Sequence, residues 1–243
     1  MPVRRGSQEA GQPAKPEHKL HKKVAQEIGA GILRGDYPPG ALLPNEAEWS
    51  RKFGVSRTAV REAIKTLSGK GLLVSQPKVG SRVEPRARWS LLDRDVLDWH
   101  SAATGQRAFL ESTQEIRQLI ETGIAALAAR KRTPEQLAEL EEALEAMRVA
   151  PDTDSLVEAD VRYHLALLAA ANNDLLAPFG LIVERALAIL FAYTSRNNPR
   201  PEIIIPLHEA IVDAVRAGDS GAARDAVVAL LADTDGVIAK GHD

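Results

Sequence analysis

The sequence contains no cysteine, which removes disulfides, thiolate metal sites and thiol chemistry at once. It has no apolar run of the roughly 18 residues that a membrane-spanning helix needs; the unbroken stretch Leu165–Ala171 is far too short. Met1 to Glu17 carries Arg4 and Arg5 but no apolar core segment, so a secretory leader is not expected. No repeat is visible, which argues against a solenoid. These absences point to a cytoplasmic chain with no membrane partner. What is present is ordinary globular material: 243 residues, 44% hydrophobic and 26% charged, enough for one large domain or two modest ones.

The net charge of −2 conceals an asymmetry. Residues 1–89 hold 17 Lys+Arg against 8 Asp+Glu, whereas the remainder holds 14 against 25. A basic third joined to an acidic remainder suggests that one part meets a polyanion and the other does not.

The first 17 residues mix Gly, Pro, Ser, Gln and charge and read as a disordered arm. Leu20, Val24, Ile28 and Ile32 recur every four residues and predict a helix over 18–33. Asn45 and Glu48 have capping-box spacing ahead of a short helix ending near Phe53. Gly54 supplies a left-handed turn, and Ser56 can cap a second helix to about Ser68. Leu72–Val74 and Ser81–Val83, around a Pro/Gly turn, suggest a hairpin. Helix, helix–turn–helix, hairpin is the order of a winged helix–turn–helix, expected over 18–84 with a linker over 85–98. From there the pattern is helical throughout, with helices near 109–129, 154–171, 175–195, 201–217 and 220–239. Thr133, Pro134 and Gln136 open another between the first two. The fold class is mainly α: an N-terminal winged helix–turn–helix and a C-terminal antiparallel all-α bundle over 99–240.

Two constellations carry chemistry. On the second winged-domain helix Val60, Ile64 and Leu67 form an inward stripe, leaving Ser56, Arg57, Thr58 and Arg61 near its exposed start. Residues at the start of a recognition helix face base edges in the major groove, where arginine forks to guanine. Lys78 and Arg82 on the hairpin are placed for flanking phosphates. In the bundle, Asp160 and His164 interrupt the stripe Leu156–Tyr163–Leu167, His208 interrupts Ile204–Ile211–Val215, and Arg117 interrupts Leu110–Thr113–Ile120–Ile124. Four inward polar groups are costly unless paired with each other, a metal or a ligand. Asp and His four apart with a second His from another helix suit a divalent metal such as zinc, and the arginine favours a carboxylate ligand. A satisfied structural network, with Asp160 bonding His164 and Arg117 bonding a carboxylate, is the alternative. A metal-dependent hydrolase is another, but no further carboxylate is placed as a general base.

Tyr37-Pro38-Pro39-Gly40-Ala41-x-Leu43-Pro44-x-Glu46-x-Glu48 and Val55-Ser56-Arg57-Thr58-x-Val60-Arg61-Glu62-Ala63 resemble the GntR family of bacterial transcription regulators. The resemblance implies a homodimer on double-stranded operator DNA, with Arg57 and Arg61 on the duplex and a Lys78–Gly80 wing in the minor groove. Some relatives carry arginine where Ala47 stands. Glu115-x-Arg117-x-x-Ile120-Glu121, Asp160-x-x-Tyr163-His164-x-x-Leu167 and His208-x-x-Ile211-x-x-Ala214 resemble the effector (FCD) domain of its FadR subfamily. That domain implies an effector site using Arg117, Asp160, His164 and His208, the last three matching metal ligands, while Leu230 stands near the expected fourth. Arg88-Trp89-x-x-Leu92-Asp93-x-Asp95-Val96-Leu97-x-Trp99 is similar to regulators of sugar-acid catabolism. An aldonate effector and repression follow from that likeness; other hydroxy or keto acids and amino acids remain alternatives.

Overall fold

Helix-capping chemistry sets most of the boundaries in the computed structural model, which describes residues 16–76, 79–193 and 200–240. The chain divides between Ser90 and Leu91 into two units. The expected arm lies outside the described residues except at its end, because α1 already begins at Pro16 and runs to Arg34.

In the first unit α2 spans Glu46–Phe53 and α3 spans Arg57–Gly69. The Asn45 side chain accepts from the Ala47 and Glu48 amides at 3.0 Å, and Glu48 accepts from the Asn45 amide at 2.7 Å. Gly54 stops α2 in the left-handed region at φ 64°. α1 packs on α3, and Val24, Ile28 and Ile32 of the one and Val60, Ala63 and Leu67 of the other are buried. Leu20, on the same four-residue stripe, is 43% exposed, so the buried face begins one turn later than the spacing suggests. Strands β1 (Leu73–Gln76) and β2 (Gly80–Val83) pair antiparallel, Leu73 opposite Val83.

The expected linker over 85–98 is mostly ordered structure. A turn of 3-10 helix covers Arg86–Arg88, and the chain then folds back on the winged unit. The Ser90 amide donates to the Lys70 carbonyl at 3.0 Å. Trp89 is buried with its indole N–H donating to the Glu84 carbonyl at 2.9 Å. Burial of a large ring with its one donor satisfied holds this segment in place.

The second unit contains α4 (Arg94–Thr104), α5 (Gln106–Lys131), α6 (Pro134–Arg148), α7 (Thr153–Ala170), α8 (Gly180–Tyr193), α9 (Pro201–Ala217) and α10 (Ser220–Lys240). α4 thus takes up residues read as linker, and its N-terminus is capped by Asp93. α5 packs against α7, α8, α9 and α10, and α6 against α7 and α9. The core includes Ile124, Leu140, Met147, Leu156, Leu167, Ile211, Val215, Val227 and Leu231.

The helix expected over 175–195 is broken. Asp174–Phe179 is a 3-10 segment containing Pro178, and α8 starts only at Gly180; residues 194 and 195 lie outside the described residues. The break has a steric reason, since proline lacks the amide a helix interior needs. Asp174–Ala192 is long and apolar enough to cross a membrane, with mean hydropathy 1.9. Its central Glu184 and Arg185, however, pair with Arg94 at 2.8 Å and Asp98 at 3.1 Å. Ile182, Val183, Ala186 and Leu187 are buried, although only 28% of the segment is.

Gly71 sits at φ +71°, and a Cβ there would lie 2.0 Å from the Arg88 carbonyl oxygen. Gly71→Ala is expected to destabilise the winged unit by about 2 kcal/mol or more, combining left-handed strain with the clash. Gly69→Ala, in the helix with open space around its Cβ, should be neutral or stabilising. Urea denaturation midpoints of the two variants check this.

Candidate functional site

The start of α3 presents Arg57, Thr58 and Arg61 to solvent, while Ala59, Val60, Ala63 and Ile64 turn inward. Lys65 is also exposed and continues the four-residue spacing of Arg57 and Arg61. The sequence reading passed over it, although the periodicity that singled out the two arginines reaches it too. Ser56 caps α3 as its place before the helix predicts, its Oγ accepting from the Ala59 amide at 3.1 Å. Arg61 already holds a carboxylate. Its Nε and Nη2 donate to the two Glu46 oxygens at 3.1 and 2.9 Å, a fork that ties α3 to the first turn of α2. The same pairing holds the Glu46 carboxyl below the usual range. Arg82 turns toward its own unit and donates to the Gly40 carbonyl. Gly80, at φ +110°, begins β2; Lys78 lies outside the described residues.

The four polar groups expected inside the bundle are all buried: Arg117 on α5, Asp160 and His164 on α7, and His208 on α9. Asp160 Oδ1 lies 3.0 Å from His208 Nε2 and 3.8 Å from His164 Nε2. The two Nε2 atoms are 3.4 Å apart. Arg117 reaches this group through a residue the sequence reading quoted without a role, Glu121. Arg117 Nε donates to Glu121 Oε1 at 2.6 Å, and Glu121 Oε2 lies 3.0 Å from His164 Nδ1. The signal was present, because Arg and Glu four apart on a helix meet on one face. Burial pushes the Glu121 carboxyl upward, but the charges of Arg117 and His164, with their hydrogen bonds, prevail and hold it at about 2. Asp160 is likewise desolvated yet lowered, through the His208 contact and the charges of His164, His208 and Arg117.

The donor set can be tested against a cation. His208 Nδ1 lies 2.8 Å from the Ile204 carbonyl, which only accepts, so this nitrogen carries a proton, and in the neutral ring Nε2 is the atom that offers a lone pair. Asp160 Oδ1 is buried without a hydrogen-bond partner. The ligand atoms of Asp160, His164 and His208 lie within 4.8 Å of one another. Ligand atoms around a tetrahedral ion with bonds of about 2.1 Å are roughly 3.4 Å apart, close to the three separations here. One oxygen and two imidazole nitrogens suit a divalent ion such as zinc. Leu230, near the expected fourth ligand, is buried and apolar, so the described residues offer three here.

A winged helix–turn–helix joined to a helical bundle with an internal polar cluster is the build of a ligand-responsive transcription regulator. The chain belongs to the GntR family: residues 20–83 match the family model "Bacterial regulatory proteins, gntR family" and residues 112–233 match the FCD domain. It is 32% identical to the uncharacterized HTH-type transcriptional regulator YieP of Escherichia coli K12, across 90% of this chain and 95% of that one. It is 33% identical to the galactonate operon transcriptional repressor of the same organism, across 86% and 93%. Among solved structures, the Listeria monocytogenes protein Lar, which controls expression of the agr system, shares the fold at TM-score 0.60 and 17% identity, covering 95% of this chain and 99% of that one. These relatives are regulators, not enzymes.

Tyr163 packs edge-on to the His208 ring, and its hydroxyl donates to the His208 carbonyl at 2.9 Å. Burial, and then the Asp160 charge, raise its phenol well above the ordinary value. The folded state therefore keeps a proton that the unfolded chain releases, and stability should fall as pH rises beyond about 10. Tyr163→Phe should flatten that decline while costing about 1 kcal/mol at neutral pH through the lost hydrogen bond. Denaturant titrations at stepped pH measure both effects.

Proposed function

We propose that this chain represses genes for catabolism of a small sugar acid, binding double-stranded operator DNA in the cytoplasm as a homodimer. Arg57 is the base-reading residue, its fork matched to guanine O6 and N7, with Thr58 beside it and Ser56 fixing the helix start. Arg61 is held ready by Glu46, and the Lys78–Gly80 wing enters the minor groove.

The bundle carries the effector site. Asp160, His164 and His208 hold a divalent ion such as zinc, and a bound ion would supply a Lewis-acid contact for carboxylate and hydroxyl oxygens. Arg117 takes the effector carboxylate: its Nε is committed to Glu121, and its two Nη groups bond no described residue. Charge supports the pairing of metal with acid. Arg117 and Glu121 cancel, Asp160 leaves one negative charge, and the two histidines are neutral as ligands. That sum repels a carboxylate unless a divalent cation reverses it. An aldonate, carboxylate and hydroxyls together, fits such a site, and the likeness to the galactonate operon repressor supports it. The observation that carries this reading is the convergence of Asp160 Oδ1 with two imidazole nitrogens inside the bundle. Effector binding then favours a conformation of lower operator affinity, a coupling of typically about 1–3 kcal/mol.

Arg57→Ala should weaken operator binding about 10- to 100-fold in gel shifts, the cost of one bidentate base contact. In thermal-shift screens with zinc present, D-galactonate or D-gluconate should raise the melting temperature of wild type. Arg117→Lys, which keeps the charge but loses the fork, should abolish that rise. A response to lactate or to an amino acid instead would reassign the effector within the same site.

A further inference from the structure

We propose that Glu121 is the positioning residue that fixes His164 as a metal ligand, with Arg117 as its permanent counter-ion. This rests on the metal reading of Asp160, His164 and His208 given above. Two observations carry it. Glu121 Oε2 is buried without a conventional hydrogen-bond partner, and the atom 3.0 Å away is His164 Nδ1. A buried anionic oxygen at this distance favours the ring form with a hydrogen on Nδ1. In its neutral form the imidazole then has its lone pair on Nε2, the atom that faces Asp160 and His208 Nε2.

The two histidines are thus turned toward one point by different supports. His208 is oriented by the neutral Ile204 carbonyl on its own helix. His164 is oriented by an anion on a different helix, α5, which raises the basicity of the ligand nitrogen as a carbonyl cannot. The anion can stay buried because Arg117, one turn before it on α5, donates to its other oxygen at 2.6 Å. Glutamate is the residue this place requires. Both neighbours are donors, so a glutamine could accept from only one and would turn an N–H toward the other. With Leu230 leaving three ligands, the loss of orientation at one imidazole weighs heavily.

The test is calorimetric titration of zinc chloride into metal-stripped full-length protein, wild type against Glu121→Gln, with nitrogen-15 NMR of the histidine rings. Wild-type His164 should carry its proton on Nδ1 before zinc and shift at Nε2 on zinc addition. Glu121→Gln should bind zinc about 10- to 100-fold more weakly and show mixed His164 tautomers, with unchanged helical circular dichroism. Equal affinity in the variant overturns the role of Glu121 and leaves the metal site standing. The wild-type ring signals decide even if the variant does not fold: a proton on His164 Nε2, or zinc at Nδ1, overturns the inference. Wild type that takes up no zinc overturns the metal reading and this one with it.

Discussion

A carboxylate taken out of water costs several kcal/mol unless donors or cations meet it. Among the described residues this bundle buries two, Glu121 and Asp160, within reach of the same imidazole. Their needs govern the interior. Glu121 requires Arg117 one turn away and His164 across from it, so α5 and α7 must face each other in one register. Asp160 requires His208, which brings in α9. Apolar neighbours hold these helices in that arrangement: Leu156 and Leu167 flank the pair on α7, Ile211 and Val215 follow His208 on α9, and all are buried in one core cluster.

Much of this could be seen in the sequence because its causes are local. The caps at Asn45, Ser56 and Thr133 depend on residues three apart, and each forms with the expected partner. Arg117, Asp160, His164 and His208 stood out because each interrupts an apolar helical stripe, and a stripe is a property of spacing alone. The choice of Glu121 as the carboxylate for Arg117 was less visible. It lies between two apolar positions of the stripe, and its partner His164 belongs to a distant helix.

What spacing could not show depends on long-range contact. Trp89 falls in the expected linker, yet the carbonyls of Lys70 and Glu84 that hold its segment are supplied by other parts of the winged unit. Nothing in residues 85–90 alone announces that. The interruption before α8 is a smaller case: Pro178 marks it, but the apolar character of the segment masked the break.

The two sites also differ in what a single ion pair is worth. Arg117 and Glu121 are almost fully buried, whereas Arg61 and Glu46 are largely exposed and contribute little to stability. The exposed pair matters in another way. A lysine or arginine that settles on a duplex displaces cations condensed around the phosphates, and that release makes association steeply sensitive to ionic strength. In the proposed complex Arg61 would turn from Glu46 to the duplex, and the abandoned carboxylate would take a cation back. The count of ions liberated would then fall short of the count of contacts made, and association would bear concentrated electrolyte better than the number of cationic side chains suggests.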